Sequence, residues 1–179
     1  MQSDAIKKLC LMQIFHKGIP NDIYDSLHAE NKAYLQKGEN EKYFLKAEYR
    51  KIITVAMTGG VFDIIHPGHI LTLETAKTRA DLIIVAIATD ETVKRIKKHE
   101  PMHIQSDRVQ MVNALKPVDL AIAGGSDWKA TLTQVSPDLV VFGYDQTEKK
   151  IEGIKTLKLD VFSPQENSKT GKVREKLGF

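Results

Sequence analysis

Two histidines three residues apart, His66 and His69, are the residues of this chain best suited to chemistry. Pro67 and Gly68 separate them, and an apolar β-branched run at residues 52–55 precedes them. Proline suits the first position of a helix, because its missing N–H costs nothing there and its φ is already helical. The pattern therefore predicts a helix start at Pro67 with both imidazoles beside it. The N–H groups and positive dipole of such a start bind phosphate, so we interpret the segment as a phosphate-handling active site.

Strand and helix patterns alternate from Lys51 onward. Apolar runs typical of buried parallel strands cover residues 52–57, 82–88, 118–123, 139–142 and 157–162. Helical patterns cover residues 69–78, 91–98, 107–115, 129–134 and 148–154, with Ser106 and Ser126 as N-caps of two helices. The alternation predicts an α/β fold with a doubly wound parallel sheet. Ligands bind such sheets beyond the carboxyl ends of the strands, where the histidine segment falls.

Residues 1–50 have a different pattern and predict a small, mainly helical N-terminal extension. Gly18 ends one helical stretch, and Pro20 opens a second. A winged-helix-like arrangement, with residues 42–51 as a ribbon, is one interpretation. The segment carries eight basic and seven acidic residues, without the basic surplus of a DNA reader. We therefore expect a packing or dimerising role here and no nucleic acid as partner.

The composition is that of an ordinary soluble protein. The 179 residues suffice for one domain and an appendage, and 42% of them are hydrophobic. The net charge of +3 favours anionic ligands only slightly. The single cysteine, Cys10, excludes an internal disulfide and a cysteine-rich zinc site. No apolar run approaches the roughly 20 residues of a membrane span, and the N-terminus lacks a signal-peptide pattern. We expect a cytoplasmic protein with no membrane partner.

The stretch from Gly60 to His69, G-V-F-D-I-I-H-P-G-H, resembles the signature of the cytidylyltransferase-like nucleotidyltransferases, the H-x-G-H group. Within that group, residues 90–93, 114–119 and 143–146 resemble the archaeal FAD synthases. The resemblance covers most of the chain. It implies a Rossmann-like nucleotidyltransferase domain at residues 51–179, with residues 1–50 as an extension that the family core does not need.

The resemblance implies catalytic roles residue by residue. His66 and His69 would contact the triphosphate and stabilise the transition state. Lys97 or Lys98, of which we select Lys97, would reach the phosphates from the helix that follows the second strand. Arg108 stands at a helix start where relatives carry a phosphate-contacting arginine.

The nucleotide-binding residues that the resemblance implies are Gly60, Val61, Phe62, His66, Pro67, Gly68, His69, Asp145, Ser168 and Thr170. Asp145 would accept hydrogen bonds from the base or the ribose. Either Ser168 or Thr170 would cap the phosphates, although Gly171 interrupts the usual pattern there. Asp63 would orient His66. No metal ligand is assigned.

The function that the resemblance implies is transfer of AMP from ATP to the phosphate of FMN, giving FAD and pyrophosphate with the help of Mg²⁺ or another divalent cation. One alternative is cytidylyl transfer to glycerol 3-phosphate or another small phosphorylated alcohol or sugar. The Arg-Thr-Glu-Gly step typical of glycerol-3-phosphate cytidylyltransferases is missing, which argues against that acceptor. A third hypothesis is a nucleotide-sensing DNA-binding regulator. A homodimer is suggested by the resemblance alone.

Overall fold

The computed structural model describes residues 2–159, which fall into two compact units that meet in sequence at Thr54 and Val55. Within this described part, no helix combines the length and the apolar character that a bilayer span requires.

The first unit is mainly helical and contains one small hairpin. Its elements are α1 (Gln2–His16), α2 (Asn21–Ser26), α3 (Ala29–Lys32), β1 (Leu35–Lys37), β2 (Tyr43–Leu45) and α4 (Ala47–Arg50). The predicted helix end near Gly18 and the helix start after Pro20 are confirmed. The ribbon predicted at residues 42–51 is wrong, because the antiparallel hairpin spans residues 35–45 and a helical turn follows it.

The second unit alternates strands and helices, as the sequence predicts. Its elements are β3 (Val55–Gly60), α5 (Pro67–Lys77), β4 (Leu82–Ile87), α6 (Asp90–Lys97), α7 (Gln105–Asn113), β5 (Leu120–Ala123), α8 (Trp128–Val135), β6 (Leu139–Phe142) and β7 (Lys155–Lys158). Within the described residues these strands form a five-stranded sheet in the order β5-β4-β3-β6-β7. Every neighbouring pair is parallel, so the predicted doubly wound parallel sheet is confirmed.

The strand order reverses direction between β3 and β6. From β3 the chain builds outward through β4 to β5, and it then returns to place β6 and β7 on the other side of β3. Right-handed crossovers in opposite directions put their helices on opposite faces of a sheet. The loops that leave the carboxyl ends of the two strands then diverge, and a crevice remains between them. The loop that carries His66 follows β3, so it lies at this crevice.

The core of the second unit is apolar and centred on β4, whose six residues are all buried. Parallel strands with both faces covered are expected to be continuously apolar, and Leu82–Ile87 is such a run. From α5, Leu73 and Ala76 pack into the same cluster of buried residues. This packing fixes α5 against the sheet and thereby places the N-terminal end of the helix.

Several predicted boundaries are wrong for identifiable reasons. The strand predicted at 52–57 begins instead at Val55, whose N–H donates to the Asp138 carboxylate at 2.8 Å. The helix predicted at 148–154 is replaced by a bridge between Ile151 and Ile154 around Gly153, which has φ +75°. β7 ends at Lys158, and the last residues of the strand predicted at 157–162 lie outside the described residues.

Both predicted N-caps lie one or two residues from the observed ones. Ile104 precedes α7, so Ser106 belongs to its first turn. Asp127 caps α8 in place of Ser126, because its carboxylate accepts a hydrogen bond from the Lys129 N–H at 2.9 Å.

Truncating the core side chain that anchors α5 should destabilise the protein strongly. Leu73 is 0% exposed, and Leu73→Ala should lower the free energy of unfolding by about 2–5 kcal/mol. Urea unfolding of both variants measures this, with Glu74→Ala as the matched control. Glu74 is exposed on the same helix, and its substitution should change stability by less than about 0.5 kcal/mol. Equal effects of the two substitutions would contradict the packing described.

Candidate active site

The β3–α5 loop (residues 61–66) delivers both histidines to the N-terminal end of α5. His66 is the N-cap in extended conformation, and Pro67 opens the helix, as the sequence predicts. The His66 side chain makes no capping hydrogen bond, so it does not compete for the N–H groups of the first turn. An anion beside the two rings would therefore meet the positive end of the helix dipole.

The two imidazoles form a stacked pair. Their ring centroids are 3.8 Å apart with an interplanar angle of 24°. Burial, together with the nearby charges of His66 and Lys97, lowers the pKa of His69 to about 3. Burial also lowers the pKa of His66, although the Asp145 carboxylate acts in the opposite direction. Both rings are therefore neutral at physiological pH.

The hydrogen-bond pattern selects one tautomer of these neutral rings. In the described structure, the Nδ1 atoms of His66 and His69 are buried and have no hydrogen-bond partner. A buried N–H donor without a partner is costlier than an acceptor left in the same position. The proton is therefore expected on Nε2 of each ring, which can donate to a ligand oxygen.

Phe62 supports the stack from behind. It lies in the left-handed region with φ +52°, and it is 4% exposed. Its ring centroid is 4.6 Å from that of His69. A Cβ on Gly60 would lie 2.7 Å from Cε2 of this ring, so only glycine admits Phe62 in this place. The two predicted nucleotide-binding residues thus build the wall against which His69 rests.

The end of β6 contributes Asp145 and Gln146. Asp145 is exposed, and its negative charge partly opposes the lowering of the pKa of His66 by burial. The Gln146 side chain donates to the Gly59 carbonyl at 2.8 Å and accepts from the Gly143 N–H at 3.0 Å. It therefore ties β3 to β6 across the crevice. The sequence motif contains Gln146, but the sequence analysis did not predict this role. The signal that could have indicated it is a side-chain amide directly beyond the end of a strand.

Lys97 lies at the C-terminal end of α6 and is exposed. Its positive charge contributes to the lowered pKa of His69, after burial and the charge of His66. Lys98 is the C-cap of the same helix with φ +63°. The contact of Lys97 with phosphate stays a prediction.

Arg108 lies in the first turn of α7, at the helix start where the sequence predicts it. Its side chain is 0% exposed and donates within the protein, to His103 O, Val61 O, Ala88 O and Asp90 Oδ1. Four of its five N–H donors are used in this way. The predicted phosphate contact of Arg108 stays a prediction, whereas its internal contacts describe a brace beneath the loops.

The role expected for Asp63 is wrong. Its carboxylate is 3% exposed and accepts hydrogen bonds from the backbone N–H groups of Met102 and His103 at 2.9–3.0 Å. It does not orient His66, whose buried Nδ1 has no partner. The carboxylate instead fastens the loop between α6 and α7.

Of the remaining predicted residues, Gly68 and Val61 lie within the described part of the chain, and two others lie outside it. Gly68 is buried in the first turn of α5, where its carbonyl accepts the Thr72 hydroxyl at 2.9 Å. Val61 offers its carbonyl to Arg108. Ser168 and Thr170, predicted to cap the phosphates, lie outside the described residues.

Comparison with protein families agrees with this geometry. The family model described as "Cytidylyltransferase-like" matches residues 57–169, more than half of the chain. The chain belongs to the cytidylyltransferase-like family. The histidine pair, the β3–α5 loop and Asp145 all lie within the matched residues, so the candidate site is in the part of the chain that defines this membership.

Two curated proteins that are named FAD synthase are similar to the chain. The protein of Aciduliprofundum boonei is 48% identical over 99 residues, which are 54% of this chain and 66% of that protein. The protein of Methanopyrus kandleri is 49% identical over 102 residues, which are 54% of this chain and 67% of that protein. The matches thus span about two thirds of each relative.

One solved structure is also similar, the lipopolysaccharide core biosynthesis protein from Thermoplasma volcanium. The alignment covers 62% of this chain and 99% of that one, with a TM-score of 0.58 and 31% identity. The parallel sheet with its flanking helices is therefore shared with a known fold.

The low pKa of His69 has a measurable consequence for stability. In the folded chain the pKa of His69 is about 3, whereas the ordinary value is 6.5. As the pH falls from 6.5 towards 3, the unfolded chain gains a proton that the folded chain does not, so stability is lost in this window. Between pH 7 and pH 5 this loss should be about 1–2 kcal/mol.

Urea unfolding of the wild type and of His69→Gln at both pH values measures this loss. The variant lacks the titrating ring and should lose less stability than the wild type by that amount. Parallel pH dependences of the two proteins would show that His69 titrates near its ordinary value.

Proposed function

We propose that the chain transfers AMP from ATP to the phosphate of FMN, giving FAD and pyrophosphate. The observation that carries the proposal is the stacked, neutral pair of His66 and His69 at the N-terminal end of α5. It lies in a chain whose curated relatives of about 48% identity are named FAD synthase.

In this reaction an oxygen of the FMN phosphate attacks the α-phosphorus of ATP. A new P–O bond forms as the bond to the β-phosphate breaks, and the bonding electrons leave with pyrophosphate. The attacking oxygen is already anionic, so no general base is required. The protein must align two anions and stabilise the charge that develops on the α-phosphate and the leaving group.

The described residues supply these interactions. The Nε2–H groups of His66 and His69 donate to phosphate oxygens without adding a fixed positive charge, and the N-terminal end of α5 adds its dipole. Lys97 supplies the mobile positive charge beside His69. The proposal assigns the nucleoside to the backbone of residues 60–62 and to Asp145, whose carboxylate accepts from hydroxyl or amino groups.

The divalent cation is assigned to the substrate in this proposal. Among residues 2–159, no three His, Cys, Asp or Glu side chains group as metal ligands. Mg²⁺ is commonly held through phosphate oxygens and water with few protein ligands. Mg²⁺ bound to the triphosphate would screen its charge, and no step is derived from a protein-bound ion.

The regulator hypothesis is disfavoured by the charges of the first unit. Several of its basic side chains are engaged within the unit: Lys32, Lys42 and Lys46 donate to backbone carbonyls, and Lys37 pairs with Glu41. A DNA-binding surface needs such groups to face phosphate. We infer that residues 1–54 are an extension without a DNA-binding role; a homodimer stays a prediction.

Product formation with crossed substrates tests the proposal. The purified chain with Mg²⁺ should release pyrophosphate and form FAD from ATP and FMN. CTP with glycerol 3-phosphate should give no product. Release with CTP instead would favour the cytidylyltransferase alternative, and no turnover with any pair would contradict the proposal.

Removing either imidazole should nearly abolish this activity. His66→Ala and His69→Ala should each lower kcat by about 10²–10³, the loss seen when one preorganised donor is removed from a developing charge. His28→Ala is the matched control, because His28 is exposed and belongs to the first unit. It should leave kcat unchanged. A loss below about threefold in both site variants would contradict the assigned role.

A further inference from the structure

We propose that Arg108, Asp90 and Asp63 are positioning residues that fix the helix carrying Lys97 relative to the loop that carries the histidines. They form a brace between the β3–α5 loop and the segment of residues 89–104, called here the α6 arm. This inference rests on the proposed function, because Lys97 acts there on the phosphates.

The arm has little apolar packing to fix its place. Among the residues of α6, all of them described, Val93 alone is buried. Ile96, Met102 and Ile104 are large apolar side chains of this region that remain exposed. Hydrophobic burial therefore contributes little to the orientation of the helix. Polar contacts must fix the direction in which its C-terminal end, and with it Lys97, points.

Arg108 supplies these contacts at the start of the arm. Its Nη2 donates to Ala88 O at 2.8 Å and to Asp90 Oδ1 at 2.6 Å, and its Nη1 donates to Val61 O at 2.6 Å. One guanidinium thus joins the end of β4, the first residue of α6 and the loop that leads to the histidines. A planar group with fixed donor directions holds all three at defined angles.

Asp63 supplies the contacts at the other end of the arm. The peptide groups around His103 are held from two sides, since its N–H donates to Asp63 Oδ1 at 3.0 Å and its carbonyl accepts from Arg108 Nε at 2.9 Å. The Met102 N–H donates to the same carboxylate at 2.9 Å. Both ends of the arm are therefore tied to the β3–α5 loop through buried charged groups.

A phosphate contact by more than one N–H group of Arg108 would require these bonds to break. Its guanidinium is fully buried, and removing it from Asp90 would leave that carboxylate without its partner. The geometry instead assigns the triphosphate charge to Lys97 and the placement of Lys97 to Arg108.

A double-mutant cycle on kcat/KM tests the inference. Asp90→Asn keeps the side-chain shape but removes the negative charge, so it weakens the interaction with Arg108. It should lower kcat/KM about tenfold in the otherwise wild-type chain. In a Lys97→Ala background the same substitution should lower kcat/KM by less than about twofold, because the ammonium group that the brace positions is absent. Equal losses in both backgrounds, or no loss in either, would overturn the inference.

Glu91→Gln is the matched control. It removes the same charge one residue away in the first turn of α6, and Glu91 is exposed. It should change kcat/KM by less than about twofold in both backgrounds, since the helix dipole is affected equally but Arg108 is not. A tenfold loss with Glu91→Gln would overturn the inference by showing a general charge effect. Thermal unfolding of each variant checks that the chain is folded. Should Asp90→Asn fail to fold, Asp63→Asn repeats the cycle from the other end of the brace.

Binding of α,β-methylene-ATP with Mg²⁺ separates this inference from the proposed function. A wild-type chain that binds the analogue but forms no FAD would refute the proposed function, and the same cycle run on the dissociation constant would still decide the role of Arg108. A wild-type chain that binds no nucleotide would overturn both.

Discussion

The reversal of strand order between the neighbours β3 and β6 is the constraint from which the site follows. Two parallel neighbours whose connections run in opposite directions leave an open edge at their carboxyl ends. α5 begins at this edge, and the cluster around Leu73 holds the helix to the sheet. The positive end of α5 therefore points into the crevice, and His66 and His69 sit on it as neutral donors beside that dipole.

At this edge of the sheet, hydrogen bonds from polar side chains hold the strand ends and loops that apolar packing does not fix. Gln146 bridges β3 and β6, and Gln105 donates to the Ile87 and Gly124 carbonyls at the ends of β4 and β5, both at 2.8 Å. Arg108 and Asp63 join the loops above. These bonds join backbone groups of the strand ends and of the loops beyond them, and those of Gln146, Arg108 and Asp63 fix loops that carry Asp145 or His66. Stability and placement thus come from the same contacts.

The helix start at Pro67 and the parallel sheet could be predicted because both depend on local patterns. Within a helix, proline is tolerated at the first turn and hardly anywhere else, and a continuous apolar run suits a strand that is covered on both faces. The helix predicted at residues 148–154 failed because a turn at Gly153, with its positive φ, is set by pairing that spacing does not reveal.

The internal contacts of Asp63 and Arg108 could not be predicted for a related reason. Both were placed near phosphate or the histidines by their positions in a motif. Their partners, the backbone of Met102 and His103 for one and three carbonyls with Asp90 for the other, come together only in the folded chain. A motif indicates that a charged residue is needed, but the fold decides whether it meets substrate or backbone.

The fate of each phosphorus atom of ATP tests the central claim most directly. With FMN and Mg²⁺ present, radiolabel at the α-phosphate should appear in FAD, while label at the γ-phosphate should appear in pyrophosphate. Both transfers should be lost in His66→Ala. Label from the γ-phosphate in the flavin product, or α-label that stays in free AMP, would contradict adenylyl transfer at the histidine pair.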